Sequence, residues 1–383
     1  MDTDNINFYK GKNKKNFSVD NVKKEFSQCL QVENLNFLIG SGCSSHIVDN
    51  EEKSIPTMKE LAYRFFNVYP DFKVQNTVMK EQDLFINNLE NMLDYMISVR
   101  NVNYIEEIDS DIDSKINTVQ SFINRQIRDG MDCNEVKNIY KNFYMKILRK
   151  NRKNPINIFT TNYDLYNEKA LDELGFFYNN GFTGTYERKF NPISYNYAFV
   201  ENMNLNQDVW DTISNFYNLY KIHGSINWIN ENGTIIEKSI NNIEDETVMI
   251  YPTPLKDRST LMTPYSDLMR NMQQSLMKNN SILITLGYSF SDEHINRIIL
   301  NMLAVPSFRL VILGAGESIN KLSRINDSRI WIINSESKIH YFSNFVNKLL
   351  PSIQDDIKEK VAVQDKLKEI KEYINGDERY EQS

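Results

Sequence analysis

Cysteine is scarce in this sequence: Cys29, Cys43 and Cys133 are the three cysteines among 383 residues. Their number is odd and no two of them form a CxxC pair, which excludes a disulfide framework and a zinc site made of four thiolates. We therefore expect no zinc in the protein. Because thiols stay reduced in the cytosol, the same scarcity favours a cytoplasmic location.

Glycine and proline are also few, with 13 and 9 residues respectively. This composition excludes collagen-like and linker-rich chains and predicts long helices with few hairpins. Hydrophobic residues make up 41% of the chain, which is enough to bury a core in one large domain or in two smaller ones.

Long apolar runs and an excess of positive charge are both missing. No run reaches the roughly 18 apolar residues that span a bilayer, so we expect no membrane association. The 44 Lys and Arg residues are outnumbered by 51 Asp and Glu residues, and the formal net charge is -7. Because phosphates attract basic surfaces, this balance disfavours direct nucleic-acid binding.

Four short apolar runs each end in a turn or a polar motif, which is typical of buried strands. They lie at 35–39 (LNFLI), 156–161 (INIFTT), 282–286 (ILITL) and 310–313 (LVIL). The sequence also predicts helices at 165–174 and 292–302, a helix near 208–218, a hairpin about 231–233 and a strand at 248–252. Strands that alternate with helices predict an α/β fold: a Rossmann-like parallel sheet flanked by helices.

A large helical insertion is predicted from about residue 57 to 150, where apolar residues recur three and four positions apart with hardly a glycine or proline. Its apolar positions predict self-association into a homo-oligomer or, equally well, a helical layer that covers the sheet. The insertion interrupts a domain that we place at 34–350. Residues 1–33 are polar and lysine-rich and form an N-terminal extension, and 351–383 form a charged C-terminal helix.

Polar motifs follow the predicted strands, at the carboxyl ends where an open parallel sheet binds its ligands. They are Gly40-Ser41-Gly42, Thr161-Asn162-Tyr163-Asp164, His223-Gly224 and Gly287-Tyr288-Ser289. Because the carboxyl ends of parallel strands share one edge of the sheet, we expect these motifs to meet at a single site.

Each motif also has a purely structural interpretation. The glycines satisfy turn geometry as readily as they admit a phosphate. Asn162 and Asp164 are typical of a helix N-cap, and Ser289 is placed to cap the helix that begins near Asp292. A lone histidine is more often structural than catalytic, although His223 before a glycine at a strand end suits a general base.

In order and spacing, the motifs resemble those of the sirtuin-like family of bacterial NAD-consuming proteins. The similar segments are FLIGSGCS, IPTMKEL, NLENMLDYM, IFTTNYDLYNEKAL, YKIHGSINW and ITLGYSFSDEHINRII, which extend from about residue 35 to 300. The resemblance implies that 34–350 is a sirtuin-like NAD-binding catalytic domain and that NAD+ is its substrate.

The resemblance also implies roles for single residues. Asn162 contacts the nicotinamide ribose and His223 is the base, both at strand ends that face solvent. The residues implied at the dinucleotide are Gly40, Ser41 and Gly42 at the pyrophosphate, Thr161 and Asp164 in the loop around Asn162, and Gly287 and Ser289 at the adenosine. No residue is implied to bind a metal.

Two differences from deacylating sirtuins limit the activity that the resemblance implies. The chain lacks the four-cysteine zinc module of deacylating sirtuins, and a helical insertion stands where their first motif is followed by a loop. The resemblance therefore implies the antiviral branch of the family, which hydrolyses NAD+ to nicotinamide and ADP-ribose to starve an infected cell. It also suggests a HerA-type ATPase as a partner in trans.

Two other functions stay open at this point. A subunit that senses NAD+ or ADP-ribose without turnover has no need of a base, so His223 favours the enzyme. A nuclease effector is suggested by the basic segment 149–153 (RKNRK), although cations at a helix end explain the same residues. We further expect the isolated chain to be weakly active, because a constitutive NAD+ hydrolase would kill its own cell.

Overall fold

The computed structural model describes residues 5–48, 51–106, 111–149, 152, 154–204, 209–213, 216–240, 263–355, 357–359, 361–363 and 366. Its strands are β1 (Ile6–Lys10), β2 (Asn13–Phe17), β3 (Asn34–Ile39), β4 (Ser45–Val48), β5 (Glu51–Ser54), β6 (Lys73–Val74), β7 (Thr77–Val78), β8 (Ile156–Thr160), β9 (Tyr178–Asn179), β10 (Phe182–Thr183), β11 (Arg188–Phe190), β12 (Val200–Asn204), β13 (Val209–Thr212), β14 (Tyr217–Lys221), β15 (Trp228–Glu231), β16 (Thr234–Glu237), β17 (Ser281–Leu286), β18 (Arg309–Leu313) and β19 (Ile330–Asn334). Its helices are α1 (Val19–Cys29), α2 (Met58–Val68), α3 (Leu89–Ile105), α4 (Ile112–Gly130), α5 (Asn134–Ile147), α6 (Tyr166–Glu173), α7 (Tyr265–Leu276), α8 (Glu293–Asn301), α9 (Glu317–Leu322) and α10 (Phe342–Asn344).

The central sheet has the strand order β2-β1-β19-β18-β17-β3-β8-β14-β9. All neighbours from β19 to β9 are parallel. Residues of the predicted N-terminal extension form β1, β2 and α1, and β1 pairs antiparallel with β19. These two strands therefore extend one edge of the parallel sheet.

Both faces of the sheet are covered by helices, because successive side chains of a strand point to opposite faces. Phe37 of β3 belongs to a core with residues of α1, α5 and α6. Its neighbour Leu38 belongs to a second core with residues of α7, α8 and α9. The predicted Rossmann-like parallel sheet flanked by helices is confirmed.

A ladder of buried amides crosses the central strands. Asn157 of β8 donates through Nδ2 to Oδ1 of Asn36 in β3 (2.8 Å), and Asn218 of β14 donates to Oδ1 of Asn157 (3.1 Å). Asn36 in turn donates to Oγ of Ser281 (2.9 Å) and to the carbonyl oxygen of Ile282 (3.0 Å), both in β17. The ladder therefore joins four neighbouring strands in one register.

The sequence places most of these elements correctly. The four apolar runs form β3, β8, β17 and β18, the helices predicted at 165–174 and 292–302 are α6 and α8, and the predicted hairpin joins β15 to β16. The strand predicted at 248–252 lies outside the described residues. So does most of the predicted C-terminal helix, although helical backbone is described at 355, 357–359, 361–363 and 366.

The helix predicted near 208–218 is wrong, since β13 and β14 occupy this part of the chain. β14 lies between β8 and β9, and all five of its residues are buried. A strand that is buried on both faces has neither the alternation of an exposed strand nor the period of a helix.

The expectation of few hairpins is also wrong. Adjacent antiparallel pairs include β1–β2, β4–β5, β6–β7, β12–β13 and β15–β16. Asparagine takes the left-handed backbone conformation in two of these turns, at Asn76 (φ 65°) and Asn232 (φ 52°). Scarcity of glycine therefore does not exclude hairpins, because asparagine tolerates the same conformation.

The region of the predicted insertion holds α2 to α5 and the short hairpin β6–β7. α2, α3 and α4 pack around a core of their own, which includes Phe65 and Met92. α5 packs on the sheet instead, where Phe143 contacts Phe37 of β3 with 5.1 Å between ring centroids. Within the described parts of the chain, no helix is both long and apolar enough to cross a membrane.

The chain reverses its path across the sheet at the boundary between β3 and β17. After β3 it builds β8, β9 and β14 on one side, and it then returns to add β17, β18 and β19 on the other side. Such a reversal opens a crevice beyond the carboxyl ends of the two strands where it occurs. The crevice is therefore fixed by the topology, between the segments that follow Ile39 and Leu286.

Glycines let the two loops touch at this crevice. The N–H of Gly40 donates to the carbonyl oxygen of Leu286 (2.9 Å), and the N–H of Gly42 donates to that of Gly287 (3.1 Å). A Cβ atom on Gly40 would lie 2.5 Å from the carbonyl oxygen of Gly287. Gly287 itself has a φ of 60°, which favours glycine. The close approach of two backbones therefore requires glycine on both sides.

We expect Gly40→Ala to lower the free energy of unfolding by about 1–3 kcal/mol, because the added methyl group meets packed backbone. Gly314→Ala is the matched control, since Gly314 follows β18 as Gly40 follows β3. A Cβ atom there would meet the Cδ1 atom of Ile319 at 2.5 Å, and that methyl group can rotate away. Urea unfolding measures both variants, and equal destabilisation would contradict the backbone contact as the cause.

Candidate active site

A cavity of about 260 Å³ opens at the crevice between β3 and β17. It is lined by the loops that follow β3, β8, β14 and β17, and by apolar side chains of α2 and α4 such as Leu61 and Ile123. The sequence-predicted site residues that line it are Ser41, Thr161, Asn162, Asp164, His223, Gly287 and Ser289. The four strand-end motifs therefore meet at one cavity, and the helical insertion supplies part of its wall.

Gly40 and Gly42 do not line the cavity, unlike Ser41 between them. Their N–H groups donate to carbonyl oxygens of the facing loop, as described above. Ser41, Gly42 and Cys43 form a single turn of 3-10 helix. In the structure the two glycines shape this turn, and a contact with a pyrophosphate stays a prediction for them.

The side-chain amide of Asn162 is held in place by hydrogen bonds from its amino group, whereas its carbonyl oxygen makes none with the described residues. Nδ2 donates to the carbonyl oxygen of Gly40 (3.1 Å) and to Oγ of Ser44 (3.0 Å), which fixes the orientation of the amide. The backbone N–H of Asn162 donates to Oγ1 of Thr160 (3.0 Å). Oδ1 of Asn162 is buried and has no hydrogen-bond partner among the described residues.

Ser44 connects Asn162 to the core behind the cavity. Its hydroxyl lies 2.9 Å from the hydroxyl oxygen of Tyr140 in α5 and hydrogen-bonds the carboxyl group of Asp164. Ser44 is almost completely buried. An arrangement that satisfies all three groups has Ser44 donate to Asp164 and accept from Asn162 and Tyr140.

Asp164 contacts the start of α6 from just before the N-cap position, which Leu165 occupies. Its Oδ1 atom accepts from the backbone N–H of Tyr166, the first residue of α6 (3.0 Å). Burial raises the pKa of Asp164, while the nearby Lys221 and the hydrogen bonds to the carboxyl group lower it in part. These contacts are those of a residue that fixes the start of a helix.

Lys221 ties the end of β14 to the loop after β8. Its ammonium group donates to the carbonyl oxygens of Tyr163 (3.2 Å) and Asp164, and it pairs with Oε1 of Glu168 in α6 (3.1 Å). The side chains of Lys221 and Glu168 are 1% and 9% exposed. Burial raises the pKa of Glu168, and Lys221 opposes that rise. This buried cation therefore sets the position of Asn162 relative to His223.

His223 pairs with a second histidine that sequence reasoning did not place in the site. Its Nε2 atom lies 3.3 Å from Nε2 of His294, in the first turn of α8. At this distance one ring donates and the other accepts, so the two tautomers depend on each other. Gly224, with a φ of 88°, turns the chain directly after His223.

Asn162 and His223 were expected to face solvent, but both are buried. They are 6% and 3% exposed. In a sheet without covering helices, the carboxyl ends of the strands are open to solvent. Here α2 and α4 cover this edge of the sheet, and they place Leu61, Ile123 and Ile127 at the cavity.

Ser289 does not cap the following helix. Its hydroxyl lies 3.0 Å from that of Ser291, and Asp292 is the residue at the N-cap position of α8. Tyr288 anchors the segment instead, since its hydroxyl donates to Oδ1 of Asn296 (3.1 Å). Ser289 is thereby left at the surface of the cavity, where the adenosine contact predicted for it stays a prediction.

Sequence reasoning missed Ser44, Lys221, Glu168 and His294. One signal was present, because Lys221 follows the apolar residues Leu219 and Tyr220 in a strand, and a charged residue in such a position is buried only with a partner. No signal identified His294, since its contact with His223 joins positions 71 residues apart.

The basic segment at 149–153 holds main chain in place. Arg149 donates to the carbonyl oxygens of Lys146 and Leu148, and Arg152 donates to those of Leu30, Val32 and Glu33. Burial lowers the pKa of both guanidinium groups. Residues 150, 151 and 153 lie outside the described residues. The two described arginines are therefore engaged with the main chain of the fold.

No group of three or more His, Cys, Asp or Glu side chains that the structure describes is arranged to hold a metal ion. The three cysteines are free thiols. Burial raises the pKa of Cys29 to about 11 and also raises that of Cys43. Neither thiol is therefore ionised at neutral pH.

Residues 156–331 match the SIR2-like domain family. No curated protein matches the chain. The matched segment runs from β8 into β19 and contains the site residues Asn162, Asp164, His223, Gly287 and Ser289. SIR2-like domains are NAD-utilising enzymes, so the match supports a sirtuin-like enzyme that uses NAD+.

We expect Lys221→Met to lower the free energy of unfolding by about 3–5 kcal/mol near neutral pH, because Glu168 loses its buried partner. Loss of the ammonium group also raises the pKa of Glu168 further in the folded protein. A group whose pKa is raised in the folded state stabilises the fold at low pH, where the group is protonated. This stabilisation is lost as the pH rises. The destabilisation, measured by urea unfolding, should therefore be smaller at about pH 5 than at about pH 8.

The double variant Lys221→Met/Glu168→Leu is the control for the loss of charge. It replaces the ion pair by two apolar side chains and should recover most of the lost stability. A single variant as stable as the parent at about pH 8 would contradict the structural role of the pair.

Proposed function

We propose that this sirtuin-like chain is an NAD+ glycohydrolase, which cleaves NAD+ into nicotinamide and ADP-ribose. The observation that carries the proposal is the buried Oδ1 atom of Asn162, which has no partner among the described residues and belongs to a cavity that His223 also lines. A buried acceptor of this kind is unfavourable unless a ligand or a water molecule donates to it. The SIR2-like segment supports NAD+ as that ligand.

The reaction requires orientation and a base. Cleavage of the bond between ribose and nicotinamide leaves a cationic, oxocarbenium-like ribose and a neutral leaving group, so no general acid is needed. Oδ1 of Asn162 accepts a hydrogen bond from a ribose hydroxyl or from the attacking water, while Gly40 and Ser44 hold its amino group. His223 takes the proton, a contribution of about 10²–10⁴-fold for general base catalysis.

The charges of the cavity suit the cationic nicotinamide end of NAD+. Glu90 and Asp292 line it, and of the lining residues that the structure describes none is lysine or arginine. Because charges interact strongly where water is scarce, these carboxylates favour the cationic nicotinamide ring and the cationic ribose that forms from it. The pyrophosphate then rests on neutral donors such as Ser41.

We expect Asn162→Ala and His223→Ala each to lower kcat by about 100-fold or more, because one orients the substrate and the other takes the proton. Chromatography of nicotinamide and ADP-ribose measures the loss. The assay covers dilute and concentrated protein, since the isolated chain is expected to be weakly active. Urea unfolding should show folded variants, with Asn162→Ala less stable by about 1–3 kcal/mol because its hydrogen bonds are lost.

His340→Ala is the matched control, since His340 is a half-buried histidine in the segment between β19 and α10, outside the cavity. It should hydrolyse NAD+ as the parent does. If the concentrated parent binds NAD+ and leaves it intact, hydrolysis is wrong and the sensing function takes its place.

We extend the proposal to antiviral defence in the cytoplasm by depletion of NAD+, with the chain as a homo-oligomer and a HerA-type ATPase as its partner in trans. What supports self-association is the end of α3 in the insertion, where Tyr104 and Ile105 are 86% and 78% exposed. Large apolar side chains that neighbour one another at the surface favour burial against another molecule.

We expect light scattering to give a mass above that of the 45.1 kDa chain. The double variant Tyr104→Asp/Ile105→Asp should return the mass to that of one chain, because charge at an apolar contact is unfavourable. Tyr186→Asp is the control, since Tyr186 is 100% exposed and lies outside the insertion. A parent that stays monomeric at all concentrations would contradict self-association.

A further inference from the structure

Hydrolysis of NAD+ releases a proton in every turnover, and the proposed base is buried. The bond from the ribose carbon to nitrogen breaks with its electron pair going to the nitrogen, which makes the cationic ring neutral. The water oxygen forms the new bond to the ribose carbon, and one water proton is left over. His223, which is 3% exposed, must pass this proton to solvent before it can act again.

His294 is the neighbour of His223 that solvent reaches. The two Nε2 atoms are 3.3 Å apart, and the ring planes are tilted by 33°. His294 is only half-buried, in the first turn of α8. The hydrogen bond therefore connects a buried ring to a partly exposed one.

We propose that His294 carries the proton from His223 to solvent, a role that rests on the function proposed above. The imidazole of His223 takes the proton from the water or from a ribose hydroxyl and becomes an imidazolium. It then gives the proton on Nε2 to Nε2 of His294. His294 releases a proton to solvent from Nδ1, so both rings are neutral at the end of the turnover. The new proton of His223 then lies on Nδ1 and the shared proton lies on Nε2 of His294. Rotation of the two rings restores the original arrangement before the next turnover.

Charge repulsion limits the pair to one extra proton. Two imidazolium rings with nitrogen atoms 3.3 Å apart repel each other, so the pair holds one extra proton at a time. Water can approach the half-buried ring of His294 and take the proton from it. His294 thus acts through His223 and does not itself contact the reacting atoms.

Two substitutions separate a relay from a contact that only orients His223. His294→Ala removes both functions, whereas His294→Gln keeps an amide oxygen that can accept from Nε2 of His223 but cannot pass on a proton. A relay predicts that both variants lose kcat by about tenfold or more while KM stays within about twofold of the parent. It also predicts that imidazole in the buffer restores turnover of His294→Ala, because a small base replaces the missing ring. His340→Ala is the control and should behave as the parent does.

The parent is assayed beside the variants, so that the two proposals fail separately. If the parent leaves NAD+ intact, the proposed function is wrong and the relay falls with it. If the parent is active and His294→Gln keeps kcat within about twofold, the relay is wrong and the contact only orients. A loss in His294→Ala that imidazole does not restore also overturns the relay.

Heteronuclear NMR of the imidazole rings gives a readout that needs no turnover. The sequence has 4 histidines, so single substitutions assign every ring. We expect His294→Ala to change the nitrogen signals of His223 and to leave those of His340 unchanged. An unchanged His223 would show that the rings do not share a hydrogen bond in solution, which overturns the proposal.

Discussion

The buried amide ladder that joins Asn36, Asn157 and Asn218 is the constraint on which the site depends. A slip of one strand by one residue would turn its side chains to the opposite face and leave amides unpaired in the core. Because the ladder fixes β17, β3, β8 and β14 in one register, their carboxyl ends stop at the same edge of the sheet. Ser41, Asn162, His223 and Ser289 follow these ends by two or three residues, so their meeting depends on that register.

Two further features bring the functional side chains close to one another at this edge of the sheet. The glycines of the loops after β3 and β17 allow direct backbone contact, which holds Ser41 at the cavity. The ammonium group of Lys221 joins the loop of Asn162 to the strand that carries His223. A buried ion pair contributes little net stability, because burial opposes both charges. Its contribution here is a fixed geometry between two side chains from neighbouring strands.

Much of this arrangement could be predicted from the sequence. The parts that could not be predicted were missed for physical reasons. Apolar runs that end in polar motifs identify β3, β8 and β17, and the rule that parallel strands share an edge brings their motifs together. Contacts between side chains on distant elements carry no such pattern, so His294 was found only in the structure. The helix predicted near 208–218 failed where it reached the start of β14, because burial on both faces removes the periodicity on which such predictions depend. The burial of Asn162 was missed because the course of α2 and α4 over the sheet depends on tertiary packing.

The pairing of β3 with β17 joins positions about 245 residues apart in the chain. Contacts of such long range form late, because a large loop must close before they are made. A ribosome that has released only the first half of the chain has made the Ser41 turn, the insertion and Asn162, but not the strand that completes the crevice. The cavity of this proposed NAD+ hydrolase is therefore incomplete until β17 and the loop after it have been synthesised and β17 has paired with β3.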